Sequence, residues 1–156
     1  RCRFVLVGDG PLRPALERAH PDCLFTGFIR REELAAHYAS ADLYVHASLS
    51  ETFGNVLTEA LASGLAVAGF DYAAARMFIR PGENGLLAPT SDPDALLAAA
   101  VQLARDAALR ERLRSAASAA VAEHTWEHVI DGFEAELLAV AGHPPRLAAP
   151  LPAIAS

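Results

Sequence analysis

The chain has 156 residues, of which 53% are hydrophobic and 21% charged, and its formal net charge is −6. A domain of this size buries roughly two thirds of the surface of its unfolded chain, so we expect one hydrophobic core. The acidic balance argues against a nucleic-acid-binding surface, and any phosphate ligand must then be bound locally.

The first half of the chain alternates short apolar strands with helices of about ten residues. Such an alternation needs crossover connections, and strands that are apolar on both faces indicate a parallel sheet covered by helices. We therefore predict an α/β fold with a doubly wound parallel sheet. The predicted strands are residues 3–7, 24–29, 43–47, 65–70 and 85–87, and the predicted helices are residues 12–20, 31–39, 54–63 and 73–79.

Beyond Pro89 the pattern is entirely helical. Ser91 or Asp92 is positioned to cap the first of these helices, with Pro93 in its first turn. Trp126 is expected to anchor the last helix on the core. The predicted C-terminal helices cover residues 91–104, 107–124 and 126–140.

The domain organisation is one folded unit followed by a tail. Residues 1–141 are expected to form a single domain, whereas residues 142–156 contain four prolines and are predicted to be a loose C-terminal tail. The chain enters a strand at once and lacks an initiating Met, so we expect a fragment of a longer polypeptide.

The two cysteines and the lengths of the apolar runs indicate where in the cell the protein is expected to be. Cys2 and Cys23 have no close partners in the sequence, so they indicate neither a zinc motif nor a disulfide scaffold. No apolar run reaches the roughly 18 residues that span a bilayer, and no signal peptide opens the chain. We predict a cytoplasmic protein with no metal site and no transmembrane segment.

The stretch ETFGNVLTE at residues 51–59 is the candidate ligand site. Ligands of open parallel sheets bind beyond the carboxyl ends of the strands, and this stretch connects the strand ending near Ala47 to its helix. The first N–H groups of that helix, on Gly54, Asn55 and Val56, would form an anion site. Gly54 would also let a ligand approach the backbone closely.

Two carboxylates flank that helix start. Glu51 is expected on the preceding loop, and Glu59 about one and a half turns inside the helix. Their separation of roughly 12 Å is too large for a glycosidase acid pair and suits the two ends of an elongated ligand, such as a nucleoside diphosphate sugar. The structural alternative is a capping box formed by Ser48 and Glu51, with Glu59 as a solvated helix residue.

Other polar residues are open to two interpretations. His46 is either a core histidine or, because it lies near the carboxyl end of a strand, a pocket residue. His124 and His128 are one turn apart without a third metal ligand nearby, which favours structural roles. Arg76 is either solvated or directed at a phosphate.

The stretch ETFGNVLTEALASGLAV resembles the signature of the large retaining glycosyltransferase family with the two-domain GT-B fold, often called family four or glycosyl transferases group 1. The matching positions are Glu51, Phe53, Gly54, Glu59, Ala60, Ala62, Gly64 and Val67. Further markers follow in the order of the family: VGDGP at 7–11, FTGFI at 25–29, YASADLYVHAS at 38–48, ENGLLAP at 83–89 and HTWEH at 124–128. The resemblance covers residues 3 to about 140.

This resemblance implies the C-terminal, donor-binding, Rossmann-like half of a GT-B enzyme. Glu51 would be the catalytic carboxylate that binds the transferred sugar, and Glu59 would bind the ribose hydroxyls. Backbone N–H groups around Phe53, Gly54, Asn55 and Val56 would take the diphosphate. The resemblance also implies donor-binding roles for Ser48, for Gly8 and Gly10 in the tight first turn, and for Ile29 and Arg31 beside the base pocket.

The implied reaction is transfer of a hexose, such as mannose, from a GDP- or UDP-linked donor with retention and without a cofactor. The donor's own phosphate oxygen would guide the acceptor hydroxyl. The implied partner is the protein's own N-terminal acceptor-binding domain, which would also carry a basic pair for the diphosphate and any peripheral contact with the inner membrane face. The isolated fragment is then expected to be inactive. The alternative is a non-catalytic nucleotide- or partner-binding module of the same fold.

Overall fold

The computed structural model of the protein describes residues 2–142. In that range strands and helices alternate as predicted, and the chain is helical after the last strand. The strands are β1 (Val5–Val7), β2 (Leu24–Gly27), β3 (Leu43–His46), β4 (Ala66–Phe70) and β5 (Gly85–Ala88). The helices are α1 (Arg13–Ala19), α2 (Arg31–Ser40), α3 (Asn55–Ala62), α4 (Ala73–Phe78), α5 (Pro93–Arg105), α6 (Ala107–Ala117) and α7 (Trp126–Val140). The tail predicted from Gly142 onward lies, apart from Gly142 itself, outside the described residues.

All strand pairs within the described residues are parallel, which confirms the predicted α/β class. The strands lie in two sheets, a two-stranded one of β1 and β2 and a three-stranded one in the order β3-β4-β5. No ladder joins β1 to β3 in the described range, and each residue of β1 keeps 41–43% of its surface exposed. The central strand β4 is buried along its whole length.

Helices cover both faces of the three-stranded sheet. Side chains of a strand alternate between its faces, so Val67 points to the side of α3 and α4, whereas Ala68 and Phe70 point to the side of α5 and α6. Each face carries its own apolar cluster. One contains Leu57, Leu61, Val67, Ala74, Ala75, Phe78, Ile79 and Ala117. The other contains Ala66, Ala68, Phe70, Ala88, Leu96, Leu103, Leu109 and Leu113.

Two details at the C-terminal end differ from the sequence prediction. The helix expected to reach His124 ends at Ala117 and continues as a 3₁₀ turn over Ser118–Val121. The expected role of Trp126 is wrong, because this residue is 78% exposed and α7 has no buried residue. The apolar spacing that predicts a helix does not tell whether another element covers its apolar face.

The start of α5 gives a prediction of stability. The Asp92 carboxylate accepts a hydrogen bond from the Ala95 N–H at 2.9 Å, so Asp92 is the cap. Asp92→Ala is expected to lower the free energy of unfolding by about 1 kcal/mol, since it leaves that N–H without its partner. Asp92→Asn keeps an acceptor and is the matched control. Urea denaturation of both variants tests this, and an unchanged midpoint for Asp92→Ala would contradict it.

Candidate functional site

The candidate site is the segment that connects β3 to α3. Gly54 is the N-cap, with a left-handed φ of +84°, and the helix begins at Asn55, one residue after the predicted start at Gly54. The Leu57 N–H donates to the Gly54 carbonyl at 2.9 Å, whereas the N–H groups of Asn55 and Val56 have no acceptor within the described residues. A helix start with free N–H groups attracts anions.

Gly54 is required here by both conformation and packing. A Cβ atom at this position would overlap the Cβ of Ala74 and would lie 2.7 Å from the Glu51 Oε2 atom. Any larger residue would therefore displace α4 or the Glu51 side chain. The sequence predicted the need for glycine but gave a different reason, the approach of a ligand to the backbone.

The Glu51 side chain turns inward. It is 6% exposed, and its Oε1 atom contacts the Nε2 atom of His46, whose side chain is 3% exposed. The capping-box alternative is wrong, since Glu51 precedes the helix by four residues and the Ser48 hydroxyl donates to the Ser50 carbonyl at 2.9 Å. The carboxylate is thus held by a histidine of the preceding strand.

The Glu59 carboxylate lies on the exposed side of α3. Its Oε2 atom is 3.4 Å from the hydroxyl of Tyr38, which is also 3.3 Å from the Val56 carbonyl, so these two acceptors share the one hydroxyl proton. Burial, with smaller contributions from the Tyr44 hydroxyl and the Glu59 charge, raises the pKa of Tyr38 well above its ordinary value. The phenol therefore stays protonated and remains a donor to Glu59.

A row of rings connects the two glutamates. We call Tyr38, Tyr44 and His46 the aromatic row: the ring centres of Tyr38 and Tyr44 are 6.3 Å apart, and those of Tyr44 and His46 are 5.8 Å apart. Burial raises the pKa of Tyr44 most, and the charges of Glu51 and Glu59 raise it further. Both carboxylates therefore act on one tyrosine. They lie at the two ends of one row and not on opposite faces of the domain.

A second ring contact ties the C-terminal region to this segment. The ring of Phe53, which is 46% exposed, stacks on His124 with the centres 5.9 Å apart, and His124 meets Phe78 edge to face at 4.7 Å. His124 thus packs against the segment in front of α3, in line with the structural role predicted for it. Nothing in the sequence indicates that Phe53 is its partner.

Within the described residues, the other predicted donor-binding residues make no contact of these kinds with the start of α3. The Gly8 N–H donates to the Gly27 carbonyl at 3.1 Å, and the Gly10 carbonyl accepts from Arg13 at 3.1 Å, both within the region of β1 and β2. Ile29 is half-buried and Arg31 is exposed at the start of α2. Over residues 2–142 no hydrogen bond, ion pair or ring contact links Gly8, Gly10, Ile29 or Arg31 to Glu51–Val56, so their donor-binding roles stay predictions.

A cleft of about 310 Å³ lies beside this segment rather than over it. Phe78, which contacts His124, also lines this cleft. None of the residues that line the cleft is a predicted donor-binding residue. Arg76 does not line it and pairs instead with Asp71 at 2.8 Å on the exposed surface. The cleft is lined by Met77, Phe78, Arg80, Ala119, Ala120 and Glu123.

The described part of the chain offers neither a metal centre nor a membrane span. No group of three His, Cys, Asp or Glu side chains there is arranged to hold a metal ion. None of its helices combines the length and the apolar character that crossing a bilayer requires. The cytoplasmic location stays a prediction.

Two curated relatives of the chain are bacterial mannosyltransferases. A GDP-mannose-dependent alpha-mannosyltransferase of Mycobacterium tuberculosis (strain CDC 1551 / Oshkosh) is 40% identical over 141 residues, which cover 90% of this chain and 36% of that protein. The protein of the same name from Corynebacterium glutamicum is 39% identical over 125 residues, covering 80% of this chain and 30% of the relative. The chain therefore spans about a third of the length of these relatives.

Solved structures and a family model agree with these relatives. Sucrose-phosphate synthase from Thermosynechococcus elongatus superposes with a TM-score of 0.74 at 29% identity, over 88% of this chain and 38% of that one. The pneumococcal O-GlcNAc transferase GtfA, solved in complex with UDP and GlcNAc, superposes with a TM-score of 0.72 at 27% identity, over 89% and 29%. These neighbours are GT-B glycosyltransferases. Since the model for "Glycosyl transferases group 1" matches residues 1–106, the chain belongs to this family.

Proposed function

We propose that the chain is the donor-binding half of a glycosyltransferase that transfers a hexose from a nucleoside diphosphate sugar with retention. One observation carries the proposal. Glu51 and Glu59 lie at the two ends of the aromatic row, and the free N–H groups of Asn55 and Val56 lie at the helix start between them in the sequence. In the sequence, the two carboxylates lie on either side of an anion site. A nucleoside diphosphate sugar has the same order of groups, with sugar hydroxyls, a diphosphate and ribose hydroxyls.

Each part of the site has a role in this proposal. The diphosphate would accept hydrogen bonds at the start of α3, where the helix dipole favours negative charge. Glu59 would accept from the ribose hydroxyls and Glu51 from the hydroxyls of the transferred sugar. A hydrogen bond to a charged group contributes roughly 1.5–3 kcal/mol, so two carboxylates can fix the donor's orientation.

The proposed chemistry needs no nucleophile from this chain. In a retaining transfer of this kind the leaving diphosphate oxygen accepts the proton of the attacking acceptor hydroxyl, and the new bond forms on the face that the diphosphate leaves. Glu51 would hold the sugar ring so that its anomeric carbon faces the acceptor. The acceptor, and basic side chains that neutralise the diphosphate, would come from the protein's N-terminal domain.

The relatives favour one donor. The two mannosyltransferases described above are both named GDP-mannose-dependent, whereas the solved neighbour GtfA contains UDP and GlcNAc. The mannosyltransferases are 39–40% identical to this chain and GtfA 27%, so we propose GDP-mannose as the donor, with a UDP-hexose as the second candidate.

A donor screen on the intact protein tests the proposal. GDP-mannose, GDP-glucose, UDP-glucose and UDP-galactose are each titrated by calorimetry, and release of GDP or UDP is then followed with a mixture of lipid and saccharide acceptors. We expect GDP-mannose to bind at least roughly tenfold more tightly than the UDP-sugars, a difference of about 1.4 kcal/mol. Binding without transfer would favour the non-catalytic module, and no binding of any donor would contradict the proposal.

A further inference from the structure

The pair of His46 and Glu51 is the most enclosed polar contact near the candidate site, with side chains that are 3% and 6% exposed. We propose that His46 is a positioning residue, which orients the Glu51 carboxylate for the donor and is itself oriented by Tyr44. The inference rests on the proposed function, since it concerns the glutamate that would bind the transferred sugar.

The chemistry of the three groups fixes the direction of their contacts. An ionised carboxylate only accepts hydrogen bonds, so the Nε2 atom of His46 must carry the proton that faces Glu51. In a neutral imidazole the other nitrogen is then an acceptor. The Tyr44 hydroxyl lies 3.4 Å from this Nδ1 atom and can donate to it. Donation thus runs from Tyr44 to His46 to Glu51.

The contact with His46 occupies one oxygen of the carboxylate. It involves Oε1, and neither oxygen of Glu51 has a further hydrogen-bond partner in the part of the chain that the structure describes. Oε2 faces the Gly54 backbone, since a Cβ atom at Gly54 would lie 2.7 Å from it. Buried carboxylate oxygens without a donor are costly, so Oε2 is the atom that a sugar hydroxyl would satisfy.

Without His46 the carboxylate would lose this arrangement. A buried charge that loses its one polar contact turns toward water, and this movement takes Oε2 away from its place beside Gly54. The diphosphate and the ribose do not depend on this carboxylate. A defect at His46 is therefore expected for the sugar part of the donor only.

The test uses the intact enzyme and compares its affinity for a sugar nucleotide with its affinity for the corresponding nucleoside diphosphate. The pair is GDP-mannose and GDP, unless the donor screen finds another sugar nucleotide that binds more tightly. His46→Leu is expected to weaken binding of the sugar nucleotide by roughly tenfold and that of the diphosphate by less than about twofold. His46→Gln, which keeps an N–H near the Nε2 position, should recover most of the loss. His128→Leu removes an exposed histidine of α7 and is the matched control.

A double-mutant cycle separates positioning from general stability. If His46 acts through Glu51, His46→Leu causes no further loss of sugar-nucleotide affinity in a Glu51→Ala background. Equal losses for sugar nucleotide and diphosphate, or fully additive losses in the cycle, would overturn the inference. If His46→Leu does not fold, Tyr44→Phe takes its place in the cycle, because it removes the hydroxyl that faces Nδ1 of His46. A loss of sugar-nucleotide affinity that disappears in the Glu51→Ala background would support the inference, and no loss or an additive loss would overturn it.

Binding of sugar nucleotides by the wild-type enzyme distinguishes a failure of this inference from a failure of the proposed function. A wild-type enzyme that binds no sugar nucleotide removes the proposed function and this inference together. A wild-type enzyme that binds one, combined with His46 variants that bind it equally well, removes the inference alone.

Discussion

Glu59→Ala in the intact protein is expected to lower the affinity for the sugar nucleotide by roughly ten- to a hundredfold, because it removes the carboxylate that we propose accepts from the ribose hydroxyls. The Tyr38 hydroxyl, 3.4 Å from Glu59 Oε2, would help to keep that carboxylate in place. Calorimetry gives the affinity directly. Since the ribose is common to both ligands, the nucleoside diphosphate should lose as much affinity as the sugar nucleotide.

The control for Glu59 is another exposed glutamate on a helix. Glu111 on α6 has a side chain that is 77% exposed, and Glu111→Ala should leave the affinity for both ligands unchanged. Tyr38→Phe, which removes only the hydroxyl, should cause a smaller loss than Glu59→Ala. Unchanged affinity in Glu59→Ala would remove Glu59 from the site. A loss confined to the sugar nucleotide would place it at the wrong end of the donor.

Gly54→Ala is expected to have the largest effect on stability. The left-handed φ of +84° costs an L-residue about 1–2 kcal/mol, and the overlap of the new Cβ atom with Ala74 and Glu51 adds roughly 1–3 kcal/mol. The displaced Glu51 carboxylate should also weaken sugar-nucleotide binding. Urea denaturation, followed by calorimetry on the folded variant, measures both effects.

The chain supplies a closely matched control for this substitution. Gly82 has a φ of +82°, and a Cβ atom built on it meets nothing within 4 Å. Gly82→Ala therefore carries the cost of the backbone conformation without the overlap. The free energy of unfolding of Gly54→Ala should be lower than that of Gly82→Ala by about 1–3 kcal/mol. Equal losses in the two variants would contradict the packing described around Gly54.

The sequence predicts the elements of the fold because their signals are local. Strand and helix periodicities, Asp92 as a cap and Gly54 at a helix start all depend on neighbours within a few residues. The parallel arrangement followed from the alternation of strands and helices. The division of the strands between two sheets did not, since pairing between distant strands leaves no mark in either of them.

The partners in the candidate site could not be predicted, because they are distant in the sequence. Tyr38 and Glu59 are 21 positions apart, and Phe53 stacks on His124, which belongs to the C-terminal helical region. The sequence leaves His46 as either a core histidine or a pocket residue. The burial of its side chain agrees with a core histidine, and its contact with Glu51 agrees with a pocket residue. An isolated histidine near the end of a strand was the one signal available.

The most direct test of the account is a crystal structure of the intact protein with its preferred sugar nucleotide bound. We predict the diphosphate within hydrogen-bond distance of the Asn55 and Val56 N–H groups, the ribose on Glu59 and the sugar on Glu51. A nucleotide bound in the cleft of Met77, Arg80 and Glu123, with both glutamates away from the ligand, would contradict it.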